Sequence, residues 1–277
     1  MTVMTTDFKG EYRFGYNREE LERLGYQHRV WVEANQHLLN RAGLAPGAMV
    51  VDLGCGPGYT TIDLARAVGP EGHVIAVDRD AEQSLPRLRE RAEAAGLSSI
   101  ETQAANLETF DLPAQSVDAV YGRWILMYLP ESAACNLVNR LVRWLRPGAV
   151  CILSEFCNYR HIEVQPPMQH LHAIAAAMMQ AVEGGRGCNP EIGNLLPGLL
   201  DAAGLEVEVH VTTMVVRATT PEWSWPDILF RDHLPKLVED GILAREVLDA
   251  FFVEWEERSR DRQALFFGSP MMEVVGR

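Results

Sequence analysis

A chain of 277 residues that is 47% hydrophobic and 23% charged is long enough for one sizeable domain with a cap or for two small domains, and its composition excludes a disordered chain. A formal net charge of −13 with no basic cluster argues against a nucleic-acid partner, because such binding relies on Lys and Arg neutralising phosphates. Apolar stretches fall well short of the ~20 residues of a membrane span, the opening segment has no signal-peptide core, and the five cysteines form no C-x-x-C pair, so a cytoplasmic protein with reduced thiols and no membrane contact is expected.

Residues 18–42 carry Leu21, Leu24, His28, Trp31, Asn35 and Leu38 at three- and four-residue spacing, which predicts a helix. Gln27 and His28 lie along its apolar face and need a buried polar partner or a ligand. After the turn Leu44-Ala45-Pro46-Gly47, a strand over 48–53 runs into Asp52-Leu53-Gly54-Cys55-Gly56-Pro57-Gly58-Tyr59, and the periodic run Ile62, Leu64, Ala65, Val68 starts a helix behind it. Alternate glycines between a strand and a helix mark a tight turn or a ligand close to the main chain. A dinucleotide fingerprint wants a further glycine where Tyr59 stands, and Asp52 would repel a phosphate that faced it, so a cationic or zwitterionic ligand suits the turn better. A glycine-rich turn without a ligand is the bland alternative.

Asp52-x-Gly54-x-Gly56-x-Gly58 resembles the first motif of the class I S-adenosylmethionine (SAM) dependent methyltransferases. That resemblance implies SAM as cofactor, S-adenosylhomocysteine as its product, no metal, and Asp52, Gly54, Cys55 and Gly56 beside the ligand. It also implies an N-terminal lid, in which Tyr16 and Gln27 close over the cofactor.

A second strand over 73–77 ends at Asp78, whose carboxylate can accept both ribose hydroxyls through charge-assisted bonds of roughly 1.5–3 kcal/mol. Arg79 beside it would suit a 2′-phosphate, which keeps a nicotinamide cofactor open. A helix over 81–95 and a strand over 100–105 precede Asn106-Leu107-Glu108; in the resembled family this is the adenine-binding region, implying Asn106 for the adenine amino group and Leu107 against the ring. A strand over 117–122 leads directly into Arg123-Trp124-Ile125-Leu126-Met127-Tyr128. Ligands of open α/β sheets gather at such carboxyl ends, so Arg123 is assigned to the methionine carboxylate and Trp124 and Tyr128 to the wall around the methyl group, with plain core packing the alternative for Trp124. A helix over 131–145, a stop at Arg146-Pro147-Gly148 and a nearly all-apolar strand over 149–156 complete the βα alternation. Glu155 and His161, at and just beyond that strand, are the candidate bases.

Residues 158–190 read as a Met-rich substrate cap; His170 and His172, two apart, face different sides of a helix and cannot share a zinc ion. A helix ending at Gly204 and a closing strand over 205–217 follow, then an acidic, aromatic helical lobe over 220–262. The last strand, over 266–275, contains Pro270 and so belongs at an edge or a bulge. The expected fold is α/β, a doubly wound, mostly parallel seven-stranded sheet with a helical cap. Its parts are a lid (1–45), a SAM-binding Rossmann-like core (46–157), a substrate cap (158–190), more core (191–219), a cap insertion (220–262) and a final core strand (263–277). The expected function is methyl transfer from SAM to an oxygen, nitrogen or carbon of a small, partly apolar metabolite, of the kind met in secondary metabolism, by a monomer or homodimer. A SAM-binding enzyme that moves no methyl group (cyclase-like) and a nicotinamide-dependent oxidoreductase are the alternatives.

Overall fold

A strand covered on both faces must be apolar throughout, and that rule locates the middle of the sheet. The computed structural model describes residues 18–184 and 187–277. Its first half alternates α1 (Arg18–Ala42), β1 (Met49–Leu53), α2 (Tyr59–Val68), β2 (His73–Asp78), α3 (Ser84–Ala94), β3 (Ile100–Ala104), β4 (Val117–Arg123), α4 (Glu131–Trp144) and β5 (Leu145–Phe156). The second half contains β6 (Glu163–Gln165), α5 (Leu171–Glu183), α6 (Leu196–Ala202), β7 (Val207–Thr212), β8 (Val215–Arg217), α7 (Ser224–Glu239), α8 (Arg245–Arg260), β9 (Leu265–Phe267) and β10 (Met271–Gly276).

The main sheet has seven strands in the order β3-β2-β1-β4-β5-β10-β7, and β10 runs antiparallel to both its neighbours. The expected mostly parallel, doubly wound sheet is therefore present. Alternate residues of its strands serve opposite faces. Val50, Ala119, Tyr121, Ile152 and Val275 pack with Leu38 and Leu39 of α1 and Leu64 and Val68 of α2. Val51, Val120, Cys151 and Val274 pack with α4 and with the cap helices. All five cysteines are free thiols. Among the described residues no helix is long and apolar enough to cross a membrane.

Three boundaries differ from the sequence reading. The stop expected at Arg146-Pro147-Gly148 is not a break: β5 begins at Leu145, paired with Val117, and the register shifts before Ala119 meets Val150. Gly148 takes φ 80°, and Arg146 reaches back to Asp118 at 2.8 Å, so the turn residues form an irregularity inside the strand. The closing strand over 205–217 is two strands in different sheets, β7 in the main one and β8 in a three-stranded sheet of order β6-β9-β8. The final strand over 266–275 is likewise split, and Pro270 lies in the crossing between β9 and β10 rather than at an edge. Both crossings happen at one level, where the Gly268 N–H donates to Met214 O at 2.9 Å. The proline needs no donor there, and its carbonyl accepts the Cys157 N–H at 3.1 Å. The two cap segments also merge: α5 packs on α7 and α8, and the small sheet ties residues from three distant parts of the chain.

Candidate functional site

The carboxyl ends of β1, β2, β4 and β5 converge under α1 and α7, and between them lies a cavity of about 240 Å³. At one end the glycine turn forms its floor. Gly54, Gly56 and Gly58 take φ 64°, 52° and 85°, which L side chains rarely adopt, but for different neighbours. A Cβ on Gly54 would come within 2.4 Å of Ile125, and one on Gly58 within 2.2 Å of Leu88, whereas one on Gly56 meets nothing within 4 Å. Gly56 is thus the position left bare towards the cavity, and the other two are bare for packing.

Asp78 is bolted beneath that turn: its Oδ2 accepts the Gly56 N–H at 2.8 Å and its Oδ1 the Asp80 N–H at 2.9 Å. Burial raises its pKa in spite of both bonds. Asp52 lines the floor but accepts the Thr61 hydroxyl at 2.6 Å, and burial pushes it up to about 7, so its oxygen is committed to the start of α2. The Cys55 thiol is likewise raised by burial. Arg79, Asn106 and Leu107 line the same end. The Asn106 Oδ1 accepts the Glu108 N–H at 2.9 Å, and Arg140 grips the Leu107 carbonyl at 2.6 Å, which fixes this loop. Tyr59, standing where a dinucleotide motif wants glycine, accepts from Arg91 at 2.7 Å and stacks on His28 of α1 at 5.3 Å. It docks the lid helix onto α2.

Arg123 sits at the centre. Its Nη2 donates to the Thr60 hydroxyl at 3.0 Å, its guanidinium lies 4.6 Å over the Trp124 ring, and among the described residues it makes no ion pair. Trp124 holds φ 53°, a strained value for an aromatic residue; its N–H donates to Ser154 O at 3.1 Å and its indole N–H points to Met271 Sδ at 2.9 Å. The turn after it is held by Glu155, whose Oε1 accepts the N–H groups of Ile125 and Leu126, each at 2.7 Å.

The other end is aromatic. Trp124, Tyr128, Phe156, Tyr159, Trp225 and Leu229 line it, with Arg23 and Gln27 from α1. Arg23 is buried, with Nε and Nη2 each 2.6 Å from the carboxylate of the equally buried Glu20. The Gln27 Oε1 accepts from both Arg23 and the Trp225 indole.

Neither expected base is on the cavity wall. Glu155 is fully buried, with Oε1 on the 125–126 amides and Oε2 without a hydrogen-bond partner among the described residues; burial raises its carboxyl to about 7. The His161 side chain is 63% exposed beside Glu163. Tyr16 lies outside the described residues; every other residue expected at the cofactor is brought to this one cavity. Arg23, Thr60, Phe156, Tyr159 and Trp225 escape the sequence reading. Arg23 had a signal, since it stands one helical turn before Gln27, whereas Trp225 lies 198 positions from the glutamine it meets. His28, which also lines the cavity, is lowered to about 4 by burial and by nearby arginines, Arg123 foremost, so its ring is neutral at ordinary pH. Among the described residues no group of three or more His, Cys, Asp or Glu is placed to hold a metal ion.

Residues 50–148 match the family described as a methyltransferase domain. A trans-aconitate 2-methyltransferase from Azoarcus sp. (strain BH72) is 37% identical over 126 residues, 46% of this chain and 46% of that protein. The chain thus spans less than half the length of the first curated relatives it matches. In solved structures the fold is similar to a SAM-dependent methyltransferase from Aquifex aeolicus, with TM-score 0.52, 21% identity and coverage of 72% of this chain and 94% of that one. It is also similar to a Haemonchus contortus phosphoethanolamine N-methyltransferase bound to phosphomonomethylethanolamine and S-adenosylhomocysteine, with TM-score 0.54, 15% identity and coverage of 90% and 56%.

Proposed function

We propose, from the premise that residues 50–148 are a methyltransferase domain on a class I SAM-dependent methyltransferase fold, that this chain transfers the methyl group of SAM to an oxygen, nitrogen or carbon of a small, partly apolar acceptor. One observation carries the reading: bare Gly56, backbone-held Asp78 and Arg123, which has no ion pair among the described residues, share a single cavity with an aromatic wall.

Asp78 keeps unused lone pairs for ribose hydroxyls, while its amide bonds fix where those lone pairs point. Leu107 offers an apolar face to an adenine ring, and Asn106 a polar edge. Arg123 suits a carboxylate, to which a guanidinium can bond twice. When bound, SAM would supply an electrophilic sulfonium methyl, to which an electron pair of the acceptor would bond as the C–S pair returned to sulfur, any proton on the acceptor atom passing to water. The chain's own contribution is placement: holding nucleophile and methyl in line can supply ~7–11 kcal/mol of the barrier. With Glu155 turned to loop amides and His161 in solvent, no general base from that pair enters this reading.

Calorimetry of the purified chain with SAM, S-adenosylhomocysteine, NAD(H) and NADP(H) tests it. Binding of the adenosyl compounds alone is expected. Dinucleotide binding in their place would return the oxidoreductase, and SAM binding without S-adenosylhomocysteine formation with any acceptor would return the cyclase-like alternative.

A further inference from the structure

The aromatic end of the cavity is built for a particular kind of acceptor. Among the described residues two positive charges reach it, one in an ion pair and the other over an aromatic ring. The Arg23 guanidinium meets the buried Glu20 carboxylate through two nitrogens, so that pair brings no net charge. Arg123 lies over the Trp124 ring, the face a cationic ligand would otherwise use. The carboxylates that line the cavity, Asp52, Asp78 and Glu108, belong to the glycine end and its neighbouring loop. With Arg123 given to the cofactor's carboxylate, an anionic acceptor would lose its hydration beside the already balanced Arg23, and a cationic one beside an occupied Trp124 face; both are costly.

Among the described residues the polar groups left over are the Tyr159 hydroxyl, which makes no hydrogen bond, and an amide. Gln27 spends its oxygen on Arg23 and Trp225, which fixes the flip of the side chain, and its nitrogen makes no hydrogen bond among the described residues. That nitrogen is not among the buried unpartnered atoms, so it remains accessible, and Gln27 lines the cavity. Apolar pockets that orient ligands through a few placed donors work in this way. We propose that the acceptor is an uncharged aromatic or similarly flat conjugated molecule, seated between Trp124, Phe156, Tyr159 and Trp225, with one of its oxygens accepting an N–H of the Gln27 amide. This rests on the methyl-transfer reading for its name, acceptor, and on the cavity alone for its chemistry.

Three probes of one shape and different charge test it on the full chain saturated with S-adenosylhomocysteine: 2-naphthol, 2-naphthoate and (2-naphthyl)methylammonium, titrated by tryptophan fluorescence at neutral pH. The neutral probe should bind at least about tenfold more tightly than either charged one. Gln27→Leu should weaken 2-naphthol more than about fivefold and S-adenosylhomocysteine less than about twofold. Equal or tighter binding of a charged probe overturns the proposal, as does no binding of any probe to the loaded chain. An unchanged naphthol affinity in the variant removes Gln27. If S-adenosylhomocysteine itself fails to bind, the proposed function falls, and the same three-way comparison is read on the free chain.

Discussion

The two ends of the cavity are built on opposite plans. At the glycine end, polar groups are held by partners a few residues or one strand away: Asp78 by the backbone of Gly56 and Asp80, Asn106 by that of Glu108, and Asp52 by the Thr61 hydroxyl. At the aromatic end, side chains from α1, the turn after β4, the segment after β5 and α7 meet only because the whole sheet and its cap have formed. The first plan gives an end that is rigid and local. The second gives one whose shape can change by replacing a cap residue without disturbing the sheet, the common arrangement of binding residues on a rigid scaffold.

The sharpest way to test that division begins inside the glycine turn. Gly58→Ala combines a left-handed backbone penalty of ~1–2 kcal/mol with ~1–3 kcal/mol of overpacking against Leu88, so urea unfolding should record a loss of ~2–5 kcal/mol. Gly56→Ala should lose only the backbone part, ~1–2 kcal/mol, while S-adenosylhomocysteine binding collapses; normal binding by that variant would show that Gly56 is not the bare floor. Next comes a crossed pair. Asp78→Ala should weaken S-adenosylhomocysteine more than about tenfold, ~1.4 kcal/mol, and leave 2-naphthol unchanged; Trp225→Leu should do the reverse. If both variants lose both ligands in calorimetry, the two ends are one unit and the comparison fails.

A smaller effect links the two ends through Glu155. Its carboxyl titrates about 7 in the fold against an ordinary 4.5. Between those values the folded chain holds a proton that the unfolded chain has released, so stability falls as pH rises through that window. Glu155→Gln removes the dependence. Its unfolding midpoint relative to the native chain should move in the variant's favour by several degrees between about pH 4.5 and pH 8, at roughly 2–4 °C per kcal/mol; a constant difference across that range would overturn the assignment. The smallest effect has the opposite sign. His28 is depressed from 6.5 to about 4, so its contribution is full above 6.5 and is lost as pH falls through about 4. His28→Phe, which keeps the ring against Tyr59, should flatten that acid slope in denaturant titrations.

Legibility in the sequence follows the same division. The strand ends that carry Gly54, Asp78, Asn106 and Arg123 could be placed because each is a local event, a glycine or a polar residue where a strand's β-pattern stops. The sheet was legible for the same reason up to Trp144, where an ordinary helix stop, Arg146-Pro147-Gly148, proved to lie within β5 because Asp118 and Leu145's partner Val117 hold it in register. Tertiary pairing overrode the local signal. Strands β8 and β9, only three residues each, look like continuations of β7 and β10, since periodicity carries no information about which sheet a strand joins. Glu155 is legible as an acid at a strand end but not in its role, because the backbone amides that turn back to meet it leave no mark in the sequence. Trp225 lay beyond any local argument.

The placement of β10 has a consequence for how the chain is made. Synthesis runs from the N-terminus, so β5 and β7 both exist before the strand that will lie between them. Until Met271–Gly276 arrives, each presents an unpaired edge, the kind of surface that other chains can add to. Met271, the sulfur to which the Trp124 indole points, is the first residue to fill the gap. A nascent chain therefore carries a complete glycine turn well before it can brace its aromatic wall, and ribosome-bound chains halted short of residue 271 should be those that chaperones hold longest.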